Sequence, residues 1–176
     1  VIRKIKSSET KDILNAHHIQ GYTNASLCYG LYYEESLVAC MTFSRPRPGI
    51  GKRLTNIDAY ELVRYVSSVN VVGGASKLFK NFIKTHSPSK IISYSDNEWN
   101  TGGMYAKLGF TLFNLQKTNY WYFHPTLKTF EHRYKYTKYK LVEQGFDPNK
   151  TEREIMRERG FFRVWDCGNK VWHWDK

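Results

Sequence analysis

A short glycine-rich segment holds the residues best suited to binding phosphate. It consists of Val72, Gly73, Gly74, Ala75, Ser76 and Lys77. Apolar residues recur at helical spacing directly after it, at Leu78, Phe79, Phe82 and Ile83. Residues without bulky side chains let backbone N–H groups face an anion, and the dipole at a helix start favours negative charge there. The pattern therefore predicts a phosphate-binding loop, with a plain turn as the alternative for two adjacent glycines.

Two titratable side chains lie at the ends of predicted elements. Asp96 closes a strand at its carboxyl end, where open α/β sheets place their sites; capping of the following turn is the alternative. His18 follows a helix and titrates near neutrality, so it could act as a base or bind an acceptor, with a structural role as the alternative. The histidines show no metal-ligand spacing, and we predict no metal site.

The chain is strongly basic, with a formal net charge of +11, and rich in aromatic residues. Such a surface attracts phosphate backbones, which makes a nucleic acid the expected partner. Two segments concentrate the cations: a loop with prolines and glycines, and a run in which tyrosines alternate with cations. The loop contributes Arg45, Arg47, Lys52 and Arg53, and the run contributes Arg133, Lys135, Lys138 and Lys140. The alternating run suits phosphate contact with base stacking; a solvated amphipathic helix is the alternative.

Composition also excludes some classes of protein. No run of about 18 apolar residues occurs, so we expect no membrane span. The N-terminal residues lack the apolar core of a signal peptide, and the three cysteines are widely spaced without a CxxC pair. We therefore expect neither a disulfide framework nor a zinc site, and we expect a cytoplasmic location.

The predicted elements place the glycine segment between a strand and a helix. The pattern indicates a helix up to His18, a hairpin of strands at 28–33 and 37–43, and a strand at 60–66. The helix from about Gly74, a strand at 90–94, a helix at 101–108 and a strand pair at 111–115 and 119–123 follow. Beyond Pro125, a capping box at Thr151 opens a helix, and strands at 161–165 and 171–174 read as a closing hairpin.

This order of elements, with two motifs, resembles the GNAT superfamily of acyltransferases. The segment from Asn70 to Ala75 resembles its pyrophosphate motif, although Asn70 stands where the family has a long basic or amide side chain. Asn97 with the stretch from Tyr105 to Phe110 resembles its second motif. The resemblance implies an α/β fold with a mixed, mostly antiparallel central sheet flanked by helices over residues 1–124. A small basic α+β extension, residues 125–176, would pack on it.

The resemblance also implies roles for individual residues. The backbone of the glycine segment, with Asn97, would hold acetyl-CoA or another acyl donor. Tyr105 would protonate the departing thiolate, with a half-buried structural aromatic as the alternative. Glu61 would take the proton of the attacking amine, with an ion pair to a cation such as Arg64 as the alternative.

Five short segments, at residues 18–21, 30–33, 73–78, 92–96 and 165–168, resemble a group of bacteriophage proteins that occur fused to homing endonucleases or beside them. More distantly, the chain resembles the Mom-type phage proteins, which modify adenine in DNA against restriction. A phage-encoded protein would be located in the cytoplasm of the host. The expected function is transfer of an acyl or similar small group onto a nucleic acid, and a base of DNA is the first candidate for the acceptor. Trp99, Trp172 and Trp174 could receive an extruded base, with core packing the alternative for at least two of them. The alternatives are a non-catalytic nucleic-acid-binding module and an acetyltransferase of a protein or small-molecule amine.

Overall fold

The computed structural model describes residues 1–46 and 58–176, which form two compact units. The first unit comprises Val1–Ser95, Asn100–Asn114 and Lys170–Lys176. The second comprises Asp96–Trp99 and Leu115–Asn169. The chain therefore leaves the first unit and returns to it for its last residues.

The first unit is organised around a seven-stranded sheet. Its strands are β1 (Ile2–Ile5), β2 (Leu27–Tyr33), β3 (Ser36–Ser44), β4 (Ala59–Ser67), β5 (Lys90–Asp96), β6 (Thr111–Leu115) and, from the end of the chain, β10 (Asn169–Asp175). They lie in the order β1-β2-β3-β4-β5-β10-β6. The pairs from β1 to β4 are antiparallel, and β4 and β5 are parallel. The predicted mixed, mostly antiparallel sheet is confirmed.

Helices cover both faces of this sheet. They are α1 (Lys11–His17), α2 (Gly74–His86) and α3 (Gly103–Lys107). Met41 and Phe43 of β3 pack with α2, where the rings of Phe43 and Phe82 stack at 3.6 Å, while Cys40 packs with Leu14 of α1. Because β3 is buried on both faces, its residues from Leu37 to Met41 form a continuous apolar run rather than an alternating one.

The pairing between β4 and β5 covers only the first part of each strand. It joins Ala59 to Lys90, Tyr60 to Ile91 and Glu61 to Ile92. Among the described residues no further pair joins these strands, although β4 continues to Ser67 and β5 to Asp96. The two strands therefore diverge in the middle of the sheet.

The second unit is a three-stranded sheet with helices on one face. Its elements are β7 (Tyr120–His124), β8 (Thr129–His132), β9 (Phe162–Trp165), a 3₁₀ turn (Arg133–Tyr136), α4 (Lys138–Glu143) and α5 (Glu152–Glu158). The strand order is β8-β7-β9. Its core joins Tyr122 of β7 to Leu141 of α4 and to Ile155 and Met156 of α5. None of the helices in 1–46 or 58–176 has the length and apolar character needed to cross a membrane.

Two strand pairings differ from those predicted. Residues 161–165 and 171–174 do not form a closing hairpin, because β9 pairs with β7 and β10 joins the large sheet. Strands β6 and β7 likewise lie in different sheets. The cause lies in the connecting segments, which bond to each other: Gln116 N–H donates to Asn169 O, and Asp166 N–H donates to Asn119 O. The predicted division after residue 124 falls at the end of β7, and the long segment of the second unit runs from Leu115 to Asn169.

We predict that Gly102→Ala destabilises the first unit more than Gly73→Ala. Both glycines have positive φ (+86° and +70°), which an alanine adopts at a cost of about 1–2 kcal/mol. A Cβ at Gly102 would also lie 2.0 Å from Cζ2 of the buried Trp172, whereas one at Gly73 would have no atom within 4 Å. Overpacking adds about 1–3 kcal/mol at Gly102. Urea unfolding followed by circular dichroism measures the difference, and equal losses in the two variants would show that Trp172 does not pack there.

Candidate active site

The predicted phosphate segment forms the start of α2. Gly73 is its N-terminal cap in the left-handed conformation, and Val72 before it is 89% exposed. The Gly74 N–H is already bonded to Val71 O at 3.0 Å, and the Lys77 N–H to Gly73 O at 2.9 Å. The amides of the first turn between them have no intrahelical acceptor by the rule for helix starts. The predicted strand–loop–helix geometry is confirmed, and phosphate binding by it stays a prediction.

Gly74 allows this helix start to approach the diverging part of β4. A Cβ added to it would lie 3.2 Å from the hydroxyl of Tyr65 and 3.2 Å from the side chain of Val71. Both contacts are tight, so a larger residue would shift the loop or the ring. The second glycine of the motif therefore serves close packing, while Gly73 serves the left-handed turn.

A groove of about 330 Å³ runs between α2 and α3 in the first unit. It is lined by Ser76, Phe79, Lys80, Ile83, Lys84, Lys107, Leu108 and Trp174. Its floor is apolar, and three lysines stand around it. This combination suits a ligand that carries both anionic groups and apolar surface. The lysines were not predicted as site residues, because Lys107 is more than twenty residues from the helical pair.

Tyr105 places its hydroxyl where β4 and β5 begin to diverge. The hydroxyl lies 3.0 Å from Ser93 Oγ and donates to Tyr94 O at 3.1 Å, while Ser93 Oγ donates to Leu62 O at 2.8 Å. The Tyr105 ring stacks on Trp172 with a centroid distance of 5.4 Å. Burial raises the Tyr105 pKa, and the Ser93 contact and Arg64 oppose that shift. The hydroxyl therefore keeps its proton at neutral pH, and its packing also fits the structural alternative.

Glu61 lies in a small cleft on β4. Its side chain is buried, with 5% exposure. The cleft, of about 150 Å³, is lined by Thr23, Asn24, Ser44, Glu61, Val63 and Arg64. Arg64 is held there by bonds to Val63 O at 2.9 Å and Gly21 O at 3.4 Å. A buried carboxylate beside polar side chains suits a proton acceptor, and Arg64 in the same cleft keeps the ion-pair alternative open.

His18 is held in a form that makes it a weak base. Its Nδ1 accepts the Gln20 N–H at 3.1 Å, so the ring proton resides on Nε2. Burial first, and then the positive charge of Arg64, lower the His18 pKa to about 4. The imidazole is therefore neutral at physiological pH and its lone pair is engaged, which favours the structural alternative.

Asp96 and Asn97 belong to the second unit and organise its crossing segments. Asp96 Oδ1 accepts the Glu98 N–H at 2.9 Å, which is the turn-capping alternative. Asn97 donates from Nδ2 to Cys167 O at 3.0 Å and from its backbone to Gly168 O at 3.1 Å. Its buried Oδ1 has no hydrogen-bond partner among the described residues. These contacts are structural, and a catalytic or cofactor role for either residue stays a prediction.

Most of the predicted nucleic-acid-binding cations that the structure describes are engaged with other side chains of the chain. Arg45 forms an ion pair with Asp58 at 3.1 Å and lies over the Tyr60 ring at 4.5 Å. The predicted residues Arg47, Lys52 and Arg53 lie outside the described residues. Arg45 alone therefore represents the basic loop in the structure.

The run of cations and tyrosines at 133–140 is not one amphipathic helix. It forms the 3₁₀ turn Arg133–Tyr136 and the start of α4 at Lys138. Arg133 lies over Tyr120, Lys135 pairs with Glu131 at 2.9 Å, and Lys140 lies 3.8 Å from the Tyr134 ring centroid. The alternation therefore contributes internal cation–π contacts and one ion pair. Of the three predicted base-stacking tryptophans, Trp172 and Trp174 pack in the core and Trp99 is exposed.

Solved structures with the same architecture are GNAT acetyltransferases. An IAA acetyltransferase from Bacillus cereus covers 100% of this chain over 99% of its own length, at 13% identity and a TM-score of 0.56. The ribosomal-protein-S18-alanine N-acetyltransferase of Escherichia coli covers 99% of this chain over 92% of its own length, at 9% identity and a TM-score of 0.57. A GNAT family acetyltransferase from Elizabethkingia anophelis, solved with acetyl-CoA, covers 100% of this chain over 97% of its own length, at 12% identity and a TM-score of 0.55. No family model and no curated protein matches the sequence. The chain therefore has the GNAT fold, as predicted.

We predict that His18 makes the protein less stable as the pH falls from about 6.5 to 4. In this range the unfolded imidazole binds a proton, whereas the folded one, with a pKa of about 4, does not. The His18→Asn variant keeps an acceptor for Gln20 and should lose this part of the pH dependence. Urea unfolding at several pH values compares it with wild type, and His17→Asn, an exposed neighbour, is the control. An NMR titration midpoint for His18 near 6.5 would contradict the prediction.

Proposed function

We propose that this chain is an acyl-CoA-dependent acyltransferase whose acceptor is a nucleic acid, with a base of DNA as the first candidate. The observation that carries the proposal is the divergence of β4 and β5, which has the exposed helix cap Gly73 beside it and the hydroxyl of Tyr105 within it. This arrangement offers an anion site and a proton donor within one unit. The three structural neighbours named above are all acetyltransferases.

The residues present fit an acyl-CoA. Its phosphates would bind the first-turn amides of α2, where the helix dipole favours negative charge. Lys80, Lys84 and Lys107 would add positive charge along the groove, and the apolar floor would take the less polar part of the molecule. The Elizabethkingia anophelis neighbour was solved with acetyl-CoA bound, which supports the same ligand class here.

The bound donor would supply an acyl group activated as a thioester. Glu61 would accept the proton that the acceptor nitrogen loses as it attacks the acyl carbon and the carbon–sulfur bond breaks. Tyr105 would donate a hydrogen bond to the departing sulfur. Because its raised pKa exceeds that of a thiol, about 8.5, complete proton transfer from Tyr105 is uphill, and its contribution is mainly charge stabilisation.

The proposal of a nucleic acid as acceptor rests on charge. A formal charge of +11 far exceeds what the phosphates of one cofactor molecule require. A basic surface of this kind accumulates polyanions in a salt-dependent way. The resemblance to phage proteins, including the Mom-type DNA modification proteins, points to the same acceptor class.

A second candidate is acetylation of a protein or small-molecule amine. The cleft at Glu61 measures about 150 Å³, which is smaller than the roughly 300–1,000 Å³ of most ligand pockets. A cleft of this size suits a primary amine better than a flipped base. The Escherichia coli neighbour, by its name, acts on an alanine of ribosomal protein S18.

Incubation with DNA and acetyl-CoA, followed by digestion and mass spectrometry, tests the proposal. We expect a nucleoside whose mass is increased by one acyl group, and about 100-fold less of it with Glu61→Gln, since general-base contributions reach this size. Glu34→Gln, at an exposed turn, is the matched carboxylate control. Acetylation of peptide amines without any modified nucleoside would favour the second candidate. Absence of transfer with every donor and acceptor would favour a non-catalytic binding module.

CoA should raise the melting temperature of the protein, because a ligand that binds only the folded state stabilises it. We predict that Lys80→Ala with Lys84→Ala weakens CoA binding about tenfold, as two partly exposed charge contacts are lost. The control is the double variant Lys4→Ala with Lys11→Ala, which removes the same charge from exposed positions elsewhere in this unit. Equal weakening in both double variants, measured by thermal shift and calorimetry, would show that the groove does not hold the ligand.

A further inference from the structure

The second unit contains a pocket that combines arginines with exposed aromatic rings. It has a volume of about 420 Å³, within the range of small-molecule sites. It is lined by Tyr122, Arg153, Arg157, Phe161, Phe162, Arg163 and Trp165. All of these residues belong to the second unit, and none is among the catalytic or cofactor-binding candidates above.

Helix α5 and strand β9 bring these side chains together. The capping box formed by Thr151 and Glu154 fixes the start of α5. Arg153 and Arg157 are four residues apart, so they lie on one face of the helix, while Ile155 and Met156 pack into the core. In β9, Arg163 and Trp165 are two residues apart and point to the same side of the sheet.

The pocket has an excess of positive charge. Arg163 is anchored, since it donates to the Tyr122 hydroxyl at 3.2 Å and lies 3.5 Å from Glu152. The same oxygen of Glu152 also accepts from the hydroxyls of Tyr120 and Tyr122. Within the described residues, neither Arg153 nor Arg157 has an ion pair or a side-chain hydrogen bond. Two guanidinium groups are therefore available to an anion.

The pocket also offers flat apolar surfaces to a ligand. The side chains of Phe162 and Trp165 are each 57% exposed, unlike the core tryptophan Trp172. Trp165 is supported by an edge contact with Tyr120 at 5.0 Å, which holds its ring in place. A fixed, exposed indole beside guanidinium groups can stack with a base while a phosphate binds the arginines.

We propose that this pocket binds single-stranded nucleic acid, with Arg153 and Arg157 on phosphates and Trp165 stacked on a base. A carboxylate-bearing peptide would satisfy the arginines but would leave the indole without a planar partner. The bases of an intact duplex are stacked on one another, so their faces are not free to stack on Trp165. The inference deepens the proposed function by naming a surface that holds the nucleic acid, and its test requires no acyl transfer.

Fluorescence anisotropy with a labelled 15-nucleotide oligothymidine, over a series of salt concentrations, tests the pocket in the full chain. Trp165→Ala should weaken binding roughly tenfold at every salt concentration, and Trp165→Tyr should restore most of the affinity. The double variant Arg153→Ala with Arg157→Ala should reduce the slope of log K against log salt by about 1.4, for two lost phosphate contacts. Circular dichroism confirms that each variant is folded.

The control is the double variant Lys117→Ala with Lys128→Ala. Both lysines are exposed in the same unit and lie outside the pocket. It removes the same charge and should change the slope much less. Three results would each overturn the proposed role of the pocket: equal changes of the salt slope in the two double variants, an unchanged affinity in Trp165→Ala, or equal affinity for a duplex of the same length. If the wild-type protein binds the oligonucleotide as expected but transfers no acyl group to DNA, the proposed acyl transfer is wrong and the role of the pocket stands.

Discussion

The structure of the first unit depends on where the parallel pairing of β4 and β5 stops. Three residue pairs join the strands, and beyond them buried backbone groups need other partners. Ser93 meets this need for Leu62 O, and the hydroxyl of Tyr105 meets it for Tyr94 O. Side chains thus replace the ladder at the divergence. The strands stay apart without leaving these carbonyls unsatisfied, and a polar hydroxyl is held in an apolar interior.

This constraint explains why Tyr105 has two roles that are difficult to separate. The hydroxyl that could stabilise a departing sulfur also satisfies the backbone of β5. Stacking on Trp172, which itself donates to Ser95 Oγ at 2.8 Å, fixes the ring from the other side. Catalytic use of Tyr105 therefore requires its proton to turn from Tyr94 O towards a ligand, which needs rotation of one hydroxyl and no movement of the ring.

Local sequence patterns correctly predicted the elements around the site. They gave wrong strand pairings elsewhere, where residues far apart in the sequence pair with each other. The glycine segment, α2 and the β2–β3 hairpin follow from residues close together in the sequence, and each was predicted. Strand β10 joins the large sheet from the far end of the chain, so the hairpin predicted from the strands at 161–165 and 171–174 does not form. The cleft at Glu61 contains Thr23 and Asn24, which no spacing links to β4. Alternating cations and tyrosines at 133–140 proved to be partners of one another or of nearby side chains, which the pattern alone cannot distinguish from a free surface.

The same reasoning bears on Asn70, whose side chain is shorter than the one the GNAT motif has there. A long basic residue at that position would add one positive charge near the phosphate loop. The groove between α2 and α3 already carries three lysines, on two elements that the apolar packing of Phe79 and Leu108 holds in place. Electrostatic attraction depends on the sum of nearby charges rather than on one position. In the proposed binding mode these lysines would offset the loss at residue 70, and anion binding at α2 would depend on backbone amides and lysines together.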